Sequence, residues 1–208
     1  MKTISIFLIA AALSFSSEAQ TQEDSKVKLN ELGITFSDFD RFGLVYKTGR
    51  EHSLWRFQTL MVSQNNQKRT FNDYHTDSKY KNADYTLKIG RVYISEMSED
   101  FDFRFGVDLF YSYSKDKEEF NIVNDGPAEQ LNERKANTYG MNLVFGFHHL
   151  LNEHILIGAE FLPHFSYRSG SVKEYENSEH NNPETLDISG YSYGLSNNSV
   201  QVNLIYRF

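Results

Sequence analysis

The chain of 208 residues contains no cysteine. Disulfides, thiolate-ligated zinc sites and a lipidated cysteine anchor are therefore excluded. Basic residues do not dominate either: the formal net charge is -7, which leaves no global footprint for nucleic acid. Long apolar runs are also missing. The longest, ISIFLIAAALSF at residues 4–15, is too short to span a bilayer as a helix. A mean hydropathy of -0.55 rules out a bundle of membrane helices. What the chain does have is aromatic residues, 15% of the total, with 17 Phe and 13 Tyr. That much apolar surface must be placed somewhere.

The apolar run near the start has the make-up of a secretory signal. Lys2 precedes it, and Ser17 and Ala19 supply small residues at cleavage spacing. The expected division is a signal peptide at 1–19, a short lead at 20–29 and one domain at 30–208.

The domain reads as strands by period-two alternation. In SVQVNLIYRF at 199–208, Val200, Val202, Leu204, Tyr206 and Phe208 oppose Gln201, Asn203, Ile205 and Arg207. In FDFRFGVDLFYSYS, Phe101, Phe103, Phe105, Val107, Leu109, Tyr111 and Tyr113 oppose Asp102, Arg104, Gly106, Asp108 and Phe110. The same holds for residues 139–148 and 155–168. Alternation predicts eight strands at 30–37, 40–48, 54–64, 83–96, 101–114, 137–149, 155–169 and 189–208. Short connections alternate with the long polar segments 65–82, 115–136 and 170–188, as in an up-and-down barrel with one tight and one extended rim. The first connection is the exception, being short on the long-loop rim. Strict alternation also puts Arg91 among apolar neighbours, which calls for a bulge near Gly90 or a side chain that snorkels.

Bulk decides which face is outside. Eight strands enclose only enough space for packed side chains, and the apolar face carries far too many rings to fit. The polar face carries Gly33, Gly43, Gly106, Gly140, Gly146 and Gly158, which suit a crowded interior. The apolar face therefore meets lipid, and closure pairs every backbone group there. The expected fold is an all-β, eight-stranded antiparallel up-and-down transmembrane β-barrel. Tyr111, Tyr113, Phe165 and Tyr167 fall at one girdle and Trp55, Tyr206 and Phe208 at the other.

A signal peptide, eight amphipathic strands and the terminal Tyr206-Arg207-Phe208 resemble the small outer-membrane β-barrel proteins of the OmpA/OmpX-like and OmpW-like group. The opening strands at 30–57 look like the versions found in Bacteroidota. The resemblance implies outer-membrane localisation, with short turns facing the periplasm and long loops facing outward. It also implies that Val202, Leu204, Tyr206 and Phe208 form a signal read by the barrel-assembly machinery.

The inward face offers a mixed set of charges: Lys47, Arg56, Lys88, Asp102, Arg104, Asp108, Glu160, His164, Arg168 and Arg207. Gln58, Asn142, His148, Gln201 and Asn203 share it. Acids and bases can neutralise one another there, which predicts a salt-bridged lumen network rather than an open channel. Glu160, His164 and Arg168 fall on one face, but four strand residues span about 13 Å, so they cannot form one cluster. No Ser–His–acid set stands on the lipid side near the long loops, so no catalytic residue is assigned. The acidic loops lack the spacing of a calcium loop, and no metal or cofactor is expected. The reading is a monomeric, non-enzymatic structural or surface-interaction barrel whose partners are outer-membrane lipids and the assembly machinery, with no nucleic acid. A narrow passive pore and a lipid A-modifying enzyme are the alternatives.

Overall fold

The computed structural model describes residues 28–38, 41–62, 65–71, 76–122, 128–176, 184–196 and 199–208. The expected signal peptide at 1–19 and most of the expected lead at 20–29 lie outside them. Eleven strand segments follow one another: β1 Lys28–Asp38, β2 Arg41–Arg50, β3 Ser53–Val62, β4 Asn65–Phe71, β5 Thr76–Ser98, β6 Phe101–Ile122, β7 Ala128–Leu150, β8 Ile155–Phe161, β9 His164–Glu176, β10 Glu184–Gly194 and β11 Val200–Arg207.

These segments occupy eight positions around a closed antiparallel ring, in the order β1, β2, β3, β5, β6, β7, β8, β11 and back to β1. β9 extends β8, because β7 pairs with both in one register: Phe145↔Phe161 and Asn142↔His164. The interruption falls at Leu162–Pro163, where proline has no N–H for the ladder but its carbonyl still accepts from Leu143 N–H at 2.9 Å. Just before β11, Ser199 O accepts from Leu162 N–H at 2.6 Å and Ser199 Oγ from Ser196 N–H at 2.7 Å. β4 carries the β3 position onward along β5.

The ladder that leaves Phe165 runs through Met141, Leu109, Ile89, Phe57, Tyr46, Leu32 and Tyr206, and returns to Ile155, ten residues lower on the same strand position. Such a stagger is what a closed barrel of tilted strands requires.

The eight expected strands map onto the eight ring positions, but their ends do not. Most of the segments 65–82, 115–136 and 170–188, expected to be loops, continue as strand. β4, β5, β6, β7, β9 and β10 thus project beyond the ring as a six-stranded sheet. The β1–β2 hairpin does not join it, since its pairing ends at Asp38↔Arg41.

Outside the ring, the described apolar side chains are exposed or half-buried. At the long-hairpin end, Tyr85, Tyr111, Tyr113 and Tyr139 make ring contacts, as do Tyr167 and Tyr191. At the short-turn end, Phe101 stacks on His149 and Tyr206 on Phe208. The register runs through Gly90 without a bulge. Arg91 therefore does face outward, where its guanidinium lies 5.7 Å from the Trp55 ring centroid and 5.6 Å from that of Tyr93. These rings and a bond from Nε to Ser53 Oγ at 2.7 Å hold it on the apolar face. Inside, Leu54, Val92, Val144 and Leu162 form a small apolar cluster beside the polar groups. A methyl at Gly158 would collide with the His148 ring, so glycine there makes room for it.

Candidate functional site: a charge lattice across the lumen

Alternation turns every second residue of each strand inward, and the ring order sets who meets whom. β3 and β8 lie opposite one another, as do β6 and β1. Two arginines use these diameters. Arg56 of β3 reaches Glu160 of β8, Nη2 to Oε2, at 2.5 Å. Arg104 of β6 grips Glu31 of β1, with Nη1 to Oε2 at 2.6 Å and Nη2 to Oε1 at 3.0 Å. Both guanidiniums and both carboxylates are fully buried. A single side chain that meets its partner across the whole ring leaves no open bore at that level.

Shorter contacts fill the remaining angles. Arg56 Nη1 donates to Asp108 Oδ2 at 2.8 Å and Nη2 to Gln58 Oε1 at 2.5 Å. Lys47 Nζ reaches Glu160 Oε1 at 3.1 Å. Asp102 sits two residues before Arg104 on the same inward face and accepts from its Nε and Nη2, both at 2.9 Å. Arg207 joins from the last strand, Nη2 to Glu31 Oε1 at 3.0 Å. Gln58 Nε2 donates to Gln201 Oε1 at 2.9 Å and Thr35 Oγ1 to the same oxygen at 3.3 Å, forming an amide layer above the ions. The His148 nitrogens stand 3.6 Å from Asp102 and from Glu160, beyond hydrogen-bond range, so the ring fills space between the two arginine centres.

Four carboxylates, Glu31, Asp102, Asp108 and Glu160, thus meet four cations, Lys47, Arg56, Arg104 and Arg207. The balance matters, since a buried charge without a partner is very unfavourable. Three other inward residues stay apart from the lattice. Lys88 is buried nearer the long hairpins. His164 Nε2 approaches Ser192 Oγ at 3.4 Å, and Arg168 Nη2 donates to Ser114 Oγ at 3.3 Å. Sequence reasoning overlooked Glu31, although its parity with Gly33 and Thr35 would have turned it inward. It is the carboxylate that ties the first strand to both Arg104 and Arg207.

A cavity of about 520 Å³ at the short-turn end is floored by Asp102 and Arg207. Another of about 160 Å³ at the long-hairpin end is lined by Lys88 and Asn142 among others. No described residue lines both. Among the described residues, no cluster of three or more His, Asp or Glu could hold a metal ion. Val202, Leu204, Tyr206 and Phe208 stand exposed on the outer face of β11. The backbones of Phe208 and Asn30 bond each other at 3.0 and 3.3 Å where the ring closes.

No protein-family model matches the chain, and no curated protein matches it. Among solved structures, the crystal structure of a major outer membrane protein from Thermus thermophilus is similar. The TM-score is 0.57 at 10% identity, covering 88% of this chain and 100% of that one. With ring closure, outward apolar faces and that likeness together, the chain has the fold of an outer-membrane β-barrel protein.

Proposed function

We propose that the protein is an integral outer-membrane barrel with a non-enzymatic structural or surface-interaction role, whose lumen is shut to solutes. The observation that carries this reading is the pair of arginine–carboxylate contacts that span the ring, Arg56–Glu160 and Arg104–Glu31. A barrel stiffened from within presents the projecting sheet at the cell surface on a rigid base. Short turns then face the periplasm, lipids surround the apolar belt, and the protein acts as a monomer. Planar-bilayer recording tests the closure. The expected trace has no steady conductance steps, and reproducible steps would make the protein a narrow pore instead. Incubation with lipid A is expected to leave its acyl chains unchanged.

Biogenesis belongs to the same proposal, with Val202, Leu204, Tyr206 and Phe208 as the segment read by the assembly machinery. Phe208→Ser keeps the backbone bonds to Asn30 and removes only the ring. The variant should yield less heat-modifiable barrel in membranes than the parent. Equal yields would leave the barrel intact as a reading and remove the assembly signal from it.

A further inference from the structure

We propose that the long-hairpin half of the lumen is a binding site for a small oxyanion (a phosphate, sulfate or carboxylate group) and that Lys88 is its counter-charge. The first support is the charge balance. Each charged side chain of the lattice has an opposite partner, whereas Lys88, outside it and only 8% exposed, makes no hydrogen bond or ion pair among the described residues. The carboxylate closest to it in the ladder, Asp108, opposite Gly90, is paired with Arg56. Asp108 and Glu160 act on Lys88 only beyond ion-pair distance and are both held by Arg56, so a buried ammonium without a direct contact favours an anion in the space before it.

The second support is the space in front of it. Lys88 lines the cavity of about 160 Å³ together with Thr86, Ser112, Thr138, Asn142 and Ser166, beside the apolar Phe110 and Leu162, and among the described residues no carboxylate lines it. The polar ones carry hydroxyl and amide groups that can donate. The Thr86 and Ser112 hydroxyls share one bond at 2.7 Å, so one of their two protons remains free to turn inward. Water takes about 30 Å³ of liquid volume per molecule. The cavity therefore suits one small oxyanion or a few waters, and it is too small for a nucleotide. Arg168 lies two residues beyond Ser166 on the same inward face and adds positive charge toward the mouth. Below the cavity the amide layer and the arginines block onward passage, so the site holds its ligand rather than conducts it.

The test uses the full-length protein, isotope-labelled and purified in maltoside without phosphate, titrated with inorganic phosphate, sulfate and acetate. Saturable NMR shifts are expected at the Lys88 ammonium and at the Ser112, Thr138 and Ser166 amides, and the order of the three affinities identifies the preferred anion. Lys88→Gln should weaken binding at least tenfold. Lys173→Gln, the same loss of charge on the projecting sheet, should leave it within twofold. Shifts that never saturate, shifts spread evenly over the surface lysines, or unchanged binding in Lys88→Gln would each overturn the site. The parent's own pattern of shifts decides the matter even if the variant folds poorly.

Discussion

The two halves of the lumen are made by one rule, alternate residues pointing inward, and they end up as opposite kinds of interior. Near the short turns the inward positions carry long charged side chains, and Arg56 and Arg104 meet carboxylates on the far wall. Near the long hairpins Lys88, His164 and Arg168 stand among Thr86, Ser112, Thr138 and Ser166, whose hydroxyls can touch a neighbouring strand but not the opposite one. The charged level separates a cavity of about 520 Å³ at the short-turn rim from one of about 160 Å³ among the hydroxyls.

The strongest way to break this contrast is to shorten a spanning side chain. Arg56→Ala leaves Asp108 without its ion pair and Glu160 with Lys47 and the distant His148. Removing one partner of a buried pair should lower stability by about 3–5 kcal/mol, read from urea unfolding in lipid vesicles. An unfolding midpoint like the parent's would mean that the lattice carries no such weight. In the other half the sign should reverse. Lys88→Met removes a charge that breaks no bond in the protein, so stability should hold or rise by roughly 1 kcal/mol. A clear loss would mean that Lys88 has a structural partner after all. The smallest effect is expected on the projecting sheet. The ammonium groups of Lys135 and Lys115, at 2.8 and 3.0 Å, hold the Glu133 carboxyl down at about 2. A lowered pKa contributes stability above the usual carboxylate value of 4.5, and that contribution is lost as pH falls from 4.5 to 2. Because both lysines are well exposed, the change should be about 0.2–1 kcal/mol. Amide exchange at the tips of β6 and β7, corrected for intrinsic rates, should show this loss in the parent and a flat response in Glu133→Gln.

The ring positions and the inward or outward sense of their residues were legible because lipid outside and crowding inside impose alternation at every step. The strand ends were not. Over 115–122 and 128–136 the chain keeps the ladder but leaves the apolar belt, and both faces of the projecting sheet can be polar. The apolar signal stops at the girdle while the backbone pairing does not. The candidate site divides in the same way. Parity turned Arg56, Glu160 and Lys88 inward alike. Which of them would meet depended on the ten-residue stagger and on which strands stand opposite, and no local pattern encodes either.

The seam between β1 and β11 adds an order in time. Glu31 lies opposite Arg207 in the ladder and is 176 residues from it in the chain. Neither the seam nor the three-way contact of Glu31, Arg104 and Arg207 can exist until β11 has been made and brought back to β1. Contacts at such sequence separation form slowly, because the loop must close before anything rewards it. Until then Glu31 and Arg104 face each other across an incomplete wall, and water can still solvate both. The lattice is therefore sealed in the same step as the ring, and a chain stalled short of its last strand lacks the interior as well as the seam.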